Sequence, residues 1–327
     1  MLPDLTDVLS GVHVVALPLV TRFRGITVRE AALWEGPAGW TEFSPFVEYG
    51  DDEAAHWLAA AYDFGAHEPP SSPRSANSVR VNATIPAVSP DRVADLLASF
   101  PGCRTAKIKV AEPGQNLTDD LARVARVREV MGVDARLRVD ANGGWSFDEA
   151  RAAIEQLREF GLEYMEQPCA SVDELSALRA LDLGIPIAAD ESIRKASDPL
   201  LVRDRNAADV IVVKAAPLGG ISRAIDLVEQ VGLPVVVSSA LETSVGLAMG
   251  AFLAAALPDT YDAGLGTASL LAADITREPV ITRHGSIDVR RVVPDNDLLR
   301  THNAGAERTA WWVERITRCH RVLEAAG

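Results

Sequence analysis

Residues 137–168 read LRVDANGGWSFDEARAAIEQLREFGLEYMEQP and contain one complete strand, helix and strand unit. Apolar residues alternate in the short run that ends at Asp140, which is typical of a strand. Ser146 and Glu149 have the spacing of a capping box, and the apolar residues of the helix that follows share one face until Gly161. A second strand then runs to Glu166. The stretch therefore predicts a parallel βα fold.

The same unit recurs through the middle of the chain. Its strands close on residues spaced 24 to 31 positions apart, which accommodates one strand and one helix each: Lys109, Asp140, Glu166, Asp190, Lys214 and Ser238. Residues 79–85 and 261–264 bring the candidate strands to eight. Eight such strands predict an α/β fold with a TIM-like barrel. An open doubly wound sheet is disfavoured, because the sequence lacks the glycine-rich phosphate loop typical of that fold.

The βα rhythm also divides the chain. Residues 1–78 lack it and predict a smaller N-terminal α+β domain, with a linker rich in Pro and Ser at 67–75. Residues 79–275 form the predicted barrel. Residues 276–327 predict a C-terminal segment that closes against the N-terminal domain, with a hairpin at 280–292 and a final helix.

The amino-acid composition limits the kinds of molecule that the chain is expected to bind. The chain has 327 residues, of which 48% are hydrophobic, and a formal net charge of −14. This net negative charge disfavours binding to nucleic acid and to anionic membrane surfaces. We expect no membrane segment and no signal peptide, because the longest apolar run has 13 residues, 245–257, and the N-terminus has none. Three unpaired cysteines favour the cytoplasm. The oligomeric state stays open, and a monomer is compatible with the sequence.

Three of the six strand ends are carboxylates, Asp140, Glu166 and Asp190. The carboxyl ends of the strands of a parallel barrel converge on one mouth, where three carboxylates would repel one another unless a cation held them. An all-oxygen ligand set without Cys or His suits one Mg²⁺, with Mn²⁺ as an alternative, and disfavours zinc. Each carboxylate alone could equally be a helix cap or a surface ion pair.

Lys109 and Lys214 close the strands before and after the acidic trio. A lysine desolvated near a cation has a lowered pKa, so it can accept a proton near neutral pH and return it. The two lysines are therefore candidate proton carriers on opposite sides of the mouth. The alternative is that they only neutralise the carboxylates.

Five short motifs in order resemble the enolase superfamily, in its muconate-lactonising subgroup. They are Lys107-Ile108-Lys109, Val139-Asp140-Ala141-Asn142, Met165-Glu166-Gln167-Pro168, Ala189-Asp190-Glu191-Ser192 and Val213-Lys214. The resemblance implies a capping domain followed by a (β/α)7β barrel. It also implies a Lys base and Mg²⁺ that stabilise an enediolate. Asp140, Glu166 and Asp190 would be the metal ligands, and Lys109 and Lys214 the catalytic pair.

The resemblance extends to supporting residues and to the reaction. Lys107 and Asn142 would support the lysine base and the metal ligands. Arg24, Ser238 and Ser239 would bind the carboxylates of a small-molecule substrate. Within the subgroup the chain is closest to dehydratases, with N-acylamino acid racemases and dipeptide epimerases as the alternative. From other classes, a metal-stabilised scaffold would use the carboxylates alone, and a Schiff-base aldolase would not need them.

Overall fold

The computed structural model describes residues 2–71, 77–195, 198–258 and 260–326. Residues 72–75 of the predicted linker lie outside this part of the chain. No helix in the described ranges has both the length and the apolar character needed to cross a membrane. In chain order the elements are α1 (Leu5–Ser10), β1 (His13–Phe23), β2 (Ile26–Gly36), β3 (Gly39–Phe43), α2 (Asp51–Ala66), β4 (Ser78–Arg80), β5 (Ala83–Ile85), α3 (Val93–Ala98), β6 (Thr105–Lys109), α4 (Leu117–Met131), β7 (Arg136–Asp140), α5 (Phe147–Leu157), β8 (Leu162–Glu166), α6 (Val172–Ala180), β9 (Ile187–Ala189), α7 (Glu191–Arg194), α8 (Leu201–Asp204), β10 (Val210–Val213), α9 (Ile221–Val231), β11 (Val235–Val237), α10 (Ser244–Ala256), β12 (Ser286–Asp288), α11 (Asn296–Thr301) and α12 (Ala306–Ala326).

The N-terminal part is a three-stranded antiparallel sheet in the order β1, β2, β3, covered by α2. The first two strands are joined by a two-residue turn in which Arg24 and Gly25 have φ of 49° and 80°. Positive φ at both positions is the geometry of a type I′ hairpin, whose twist matches that of the strands. The long first hairpin therefore extends to this turn.

Seven parallel strands form the second sheet, in the order β11, β10, β9, β8, β7, β6, β5. Local signals start several of the helices between them. Ser146 and Ser171 each form the predicted capping box, with Glu149 and Glu174. Because the strands are parallel and each is followed by helix, all their carboxyl ends lie on one side of the sheet.

The sheet closes through residues 263–264. Ala263 bridges to Val81 in parallel, and Gly264 bridges to Ser238 at the end of β11. The predicted eighth strand is thus a pair of isolated bridges that joins the first and last strands of the sheet. The resulting architecture is a (β/α)7β barrel with a smaller N-terminal α+β domain.

The predicted strand at residues 79–85 is wrong in one respect. The chain divides there, because Ser78–Arg80 pairs antiparallel with Ser286–Asp288 while Ala83–Ile85 joins the barrel beside β6. The predicted hairpin at 280–292 is reduced for the same reason, since its only strand, β12, takes β4 as its main partner. A pairing between residues some two hundred positions apart leaves no local pattern in the sequence.

Helix α12 returns the chain to the N-terminal sheet. Tyr62 of α2 and His320 of α12 are hydrogen bonded at 2.8 Å between the Tyr Oη and His Nδ1 atoms. The indole of Trp312 donates to Glu30 of β2 at 2.9 Å. Arg315 donates to the carbonyl oxygen of Tyr49 at 2.7 Å, so the C-terminal helix also supports the loop that follows β3.

Two glycines of the N-terminal domain provide a test of this packing. A Cβ atom on Gly36 would lie 2.3 Å from the carbonyl oxygen of Gly65, whereas a Cβ on Gly50 would meet nothing within 4 Å. We expect Gly36→Ala to lower the free energy of unfolding by about 2 kcal/mol or more, because α2 must move away from the sheet. Gly50→Ala should cost under about 1 kcal/mol. Urea denaturation measures both, and equal losses would contradict the close approach of strand and helix.

Candidate active site

The register of the parallel strands brings the predicted site residues level with one another. Lys109 is paired with Asp140 across β6 and β7, and Asp140 with Glu166 across β7 and β8. Asp190 follows β9 directly, and Lys214 follows β10. All five side chains are buried at the carboxyl end of the barrel, the mouth where TIM-barrel active sites lie.

Each carboxylate of the trio contacts a lysine. Lys109 Nζ lies 2.5 Å from Asp140 Oδ2, and Lys214 Nζ lies 2.5 Å from Asp190 Oδ2. Lys107 Nζ lies 3.1 Å from Glu166 Oε1 and 3.2 Å from Asp140 Oδ2. Lys107 thus points to the same side of β6 as Lys109, as the two-residue period of a strand predicts.

Asn142 and Glu191 connect these pairs around the mouth. Asn142 accepts a hydrogen bond from Lys109 at 2.6 Å through Oδ1, and its backbone N–H donates to Asp140 at 3.0 Å. Its Nδ2 atom donates to Glu191 Oε1 at 3.2 Å. Arg194 donates to the same Glu191 oxygen at 2.5 Å and to Asp190 Oδ1 at 3.0 Å. We call Lys107, Lys109, Asp140, Glu166, Asp190, Glu191, Arg194 and Lys214 the mouth cluster.

The three carboxyl groups differ in their protonation. Burial favours the neutral form of each, but Lys109 and Lys107 outweigh burial at Asp140, so that its pKa lies below the usual range. Lys214 and Arg194 do the same for the pKa of Asp190. Glu166 is the exception: burial and the nearby Asp140 carboxylate raise its pKa to about 8, against the opposing charge of Lys107. Without a further cation, the charged form of Glu166 is therefore the least favoured of the three.

The lysines also differ. Burial, together with the smaller effect of the Arg194 charge, lowers the pKa of Lys214 to about 8 against the opposing charge of Asp190. For Lys107 burial is outweighed by Glu166 and Asp140, which raise its pKa above the ordinary value. Lys107 therefore remains an ammonium group, and a lowered pKa is found at Lys214.

The donor set fits a hard divalent cation. Asp140, Glu166 and Asp190 offer only carboxylate oxygens, the ligands that Mg²⁺ and Mn²⁺ prefer. Glu191 Oε2 is buried and accepts no hydrogen bond from the described residues, and burial together with the Asp140 carboxylate disfavours the charged form of Glu166. In this structure the carboxylates turn to the lysines, and no three acidic, His or Cys side chains of the described chain stand at metal-binding spacing. One buried carboxylate oxygen of the mouth cluster, on Glu191, thus has no donor among the described residues.

The hairpin turn of the N-terminal domain covers the mouth. The ring of Phe23 lies 5.5 Å from Lys109 Nζ, measured to the ring centroid. Arg24, which the sequence suggested as a carboxylate-binding residue, stacks on the ring of Phe46 at 4.5 Å and donates to Tyr49 Oη at 3.4 Å. The turn therefore excludes water from one side of the lysine that is the candidate base.

The loop after β11 carries Ser238 and Ser239, two further predicted substrate contacts. The Ser238 hydroxyl is buried and 3.5 Å from the carbonyl oxygen of Gly264. The Ser239 hydroxyl lies 2.6 Å from that of Thr267 and accepts from Leu241 N–H at 3.2 Å. Both serines thus have partners within the protein, and their hydrogen bonds shape the loop that follows β11.

Two buried charges from the N-terminal domain hold the same loop. Arg29 donates to the carbonyl oxygens of Leu241 and Ala240 at 3.0 and 3.3 Å. Glu42 accepts from Thr243 Oγ1 at 2.6 Å and from Gly246 N–H at 3.0 Å, and so caps α10 from another domain. Burial raises the pKa of Glu42 to about 7, against hydrogen bonds from Ser44 and Thr243.

Comparison with known proteins agrees with this architecture. Residues 91–295 match the model for an enolase C-terminal domain-like family, and residues 14–65 match the enolase N-terminal domain-like family. A protein named o-succinylbenzoate synthase from Mycolicibacterium smegmatis is 53% identical over 323 residues, which is 98% of each chain. One of the same name from Mycobacterium marinum is 52% identical over 321 residues, 98% of this chain and 96% of that one.

The chain belongs to the o-succinylbenzoate synthase family. It is accordingly an enzyme, a dehydrating carbon–oxygen lyase of the enolase superfamily, and the predicted family and fold class are confirmed. Muconate lactonizing enzyme from Pseudomonas fluorescens shares the fold, with a TM-score of 0.76 at 20% identity over 90% of this chain and 98% of that one. The L-Ala-D/L-Glu epimerase of Bacillus subtilis does so with a TM-score of 0.71 at 22% identity, over 85% and 94%. Likeness to the epimerase is thus a likeness of fold.

Sequence reasoning about this synthase-family chain missed several residues behind the site. Arg194, Tyr49, Arg29 and Glu42 act through contacts between distant parts of the chain. Arg123 carried a local signal, because it stands three residues after Asp120 on the buried face of α4. It donates to Asp120 at 2.9 Å and to the backbone carbonyl of Lys109 at 2.7 Å. The signal in the sequence is an Asp and an Arg one helical turn apart, on the helix that follows the strand ending in the candidate base.

Arg123 can be tested against Arg128 on the same helix. Both arginines donate to backbone carbonyls, but Arg128 is only half-buried and donates to Ala135 and Phe160 at 2.6 Å each, whereas Arg123 is fully buried. We expect Arg123→Leu to lower the free energy of unfolding by about 3 kcal/mol, because Asp120 is left buried without its cation. Arg128→Leu should cost about 1 kcal/mol. Urea denaturation followed by circular dichroism gives both values, and a loss at Arg123 no larger than that at Arg128 would refute the buried clamp.

Proposed function

We propose that the chain catalyses the Mg²⁺-dependent syn dehydration of 2-succinyl-6-hydroxy-2,4-cyclohexadiene-1-carboxylate to 2-succinylbenzoate, a step of menaquinone biosynthesis in the cytoplasm. The observation that carries the proposal is the pair of buried lysines, Lys109 and Lys214, on either side of three buried carboxylates. Three strands separate β6 from β10 in the sheet, so the lysines face each other across the mouth. Relatives more than 50% identical bear the synthase name.

Asp140, Glu166 and Asp190 would hold one divalent cation, Mg²⁺ or Mn²⁺. The bound cation would supply positive charge where negative charge develops on the substrate carboxylate. The eight side chains of the mouth cluster include four acidic and four basic groups. Their formal charges cancel when all are ionised, so a divalent cation gives the cluster the net positive charge that suits a substrate with two carboxylates.

The base in this proposal is Lys109. As a neutral amine it takes the proton from C1 of the ring, and the electron pair of the C–H bond forms the enediolate. The resulting ammonium then gives its proton to the hydroxyl leaving C6, as the C–O bond breaks and the ring becomes aromatic. The proton and the hydroxide leave together as water, which requires both to be on the face of the ring that Lys109 contacts. One group thus serves as base and then as acid.

Lys214 acts differently from the opposite side. With a pKa near 8 it is mainly an ammonium at neutral pH, and it provides fixed positive charge to the enediolate. Lys107 also stays protonated, and its bonds to Glu166 and Asp140 hold these two carboxylates in place. Asn142 orients Lys109 and Asp140 together.

The substrate is a small dicarboxylate, and the proposal needs neither nucleic acid nor a membrane. Arg24 covers the mouth and carries the charge to bind the succinyl carboxylate. The loop containing Ser238 and Ser239 adds backbone and hydroxyl donors at the far side.

Replacement of each lysine by arginine tests these two roles. A guanidinium stays protonated and cannot accept the substrate proton, so Lys109→Arg should lower kcat for dehydration by about a thousandfold. Lys214→Arg preserves the positive charge, and we expect it to keep dehydration within about a hundredfold of wild type. Formation of the aromatic product, followed by ultraviolet absorbance, measures both. Retention of more than a tenth of wild-type kcat by Lys109→Arg would place the base elsewhere.

Isotope exchange provides the companion measurement. Racemisation needs both lysines as proton carriers. Because Lys214 serves mainly as a fixed charge, deuterium from the solvent should enter the α-carbon of N-succinyl phenylglycine slowly in the wild type. In Lys214→Arg this exchange should be lost at the Lys214 face. The comparisons support the dehydratase over the racemase. If wild type racemised N-acylamino acids much faster than it dehydrated the cyclohexadiene, dehydration would be the side activity.

A further inference from the structure

Arg194 lies at the end of the short helix α7 and is buried, with 6% of its surface exposed. Its guanidinium uses all three nitrogens. Nε donates to Asp190 Oδ1 at 3.0 Å, Nη2 to Glu191 Oε1 at 2.5 Å and Nη1 to the hydroxyl of Tyr49 at 3.1 Å. Two of these partners belong to the barrel mouth, and the third belongs to the N-terminal domain.

Tyr49, which accepts the hydrogen bond from Arg194, is fixed by packing contacts of its own. It stands between β3 and α2, 6% exposed, and its ring packs edge-on against Phe46 with the centroids 5.5 Å apart. Its ring also contacts Trp57 of α2, and its backbone carbonyl accepts from Arg315 of α12. The hydroxyl is therefore held in place by the packing of the N-terminal domain and α12.

The two oxygens of Asp190 have different partners. Oδ1 accepts from Arg194, and Oδ2 faces Lys214 in the mouth. An aspartate held at one oxygen cannot rotate freely about its last torsion, so the other oxygen is presented in a fixed direction. The planar fork of an arginine is suited to hold a carboxylate in this way while it bonds two other groups.

We propose that Arg194 is a positioning residue that presents Asp190 to the cation, and that Tyr49 couples this presentation to the seating of the capping domain. The inference rests on the proposed function, because it takes Asp190 as a metal ligand. The contact makes cation affinity depend on a residue of another domain that touches neither cation nor substrate. If the N-terminal capping domain were displaced, Arg194 would lose its hydrogen bond to Tyr49, and the Asp190 carboxylate would be held less firmly toward the cation.

Two conservative variants test the coupling. Tyr49→Phe removes only the hydroxyl, and Arg194→Lys keeps the positive charge beside Asp190, so a change in cation affinity reports geometry and not the electrostatic field. Calorimetric titration of MgCl₂ into the chelator-stripped full chain, without substrate, measures that affinity. We expect each variant to bind Mg²⁺ about fivefold or more weakly than wild type, in line with the loss of one hydrogen bond to a charged group.

Tyr62→Phe is the matched control. Tyr62 is a buried tyrosine of the same domain whose hydroxyl bonds His320 at 2.8 Å, away from the mouth. Its loss should lower the unfolding temperature and leave Mg²⁺ affinity within about twofold of wild type. Mg²⁺ affinity that falls equally in Tyr62→Phe and Tyr49→Phe would show a general effect of destabilisation and overturn the proposal.

The double variant Tyr49→Phe/Arg194→Lys separates coupling from two independent effects. Because the Tyr49 hydroxyl acts through Arg194, the double variant should bind Mg²⁺ no more weakly than the single variant with the lower Mg²⁺ affinity. Full additivity, or unchanged affinity in both singles, would overturn the inference, and so would a wild type that binds no Mg²⁺. Since binding is measured without substrate, a wild type that binds Mg²⁺ with this pattern but does not dehydrate the cyclohexadiene would refute the proposed function alone.

Discussion

The placement of Asp140, Glu166 and Asp190 together inside a barrel is the constraint on which the rest of the structure depends. Charged groups removed from water are strongly disfavoured unless partners compensate them. Three lysines and Arg194 provide that compensation within the protein, yet burial and the Asp140 carboxylate still raise the pKa of Glu166 above its ordinary value. Because so many charged groups are buried together, the mouth favours a divalent cation and an anionic substrate. The same arrangement of charges disfavours folding and is suited to stabilising an enediolate.

The N-terminal domain completes the mouth from the other side. Phe23 lies over Lys109, and Arg24 and Tyr49 form a contact that reaches Arg194. A second set of contacts, from Arg29 and Glu42, holds the loop after β11. The domain is therefore attached at both edges of the mouth through buried polar bonds, which depend on direction far more than apolar packing does. In the proposed mechanism, this attachment shelters from water the site where a weakly acidic α-proton is removed, and fixed charges act most strongly in such a site.

Much of this could be read from the sequence because the signals are local. The capping boxes at Ser146 and Ser171 fix where helices start, and the two-residue period of β6 places Lys107 beside Lys109. The residues that could not be foreseen depend on contacts across long separations, such as Arg194 with Tyr49 and Arg29 with Leu241. The division of residues 79–85 into two strands has the same origin, because its partner is β12. Which lysine has the lowered pKa also depends on neighbours brought together by the fold.

Turnover with and without a divalent cation tests whether the three carboxylates hold a cation that the reaction requires. Wild-type protein stripped exhaustively with chelator is mixed with the cyclohexadiene carboxylate, and formation of 2-succinylbenzoate is followed before and after Mg²⁺ is added. We expect background turnover in the stripped protein, recovery on addition of Mg²⁺, and no recovery in a folded Asp190→Asn variant at the same Mg²⁺ concentration. Full turnover by the stripped wild type, or full recovery by the variant, would contradict this expectation.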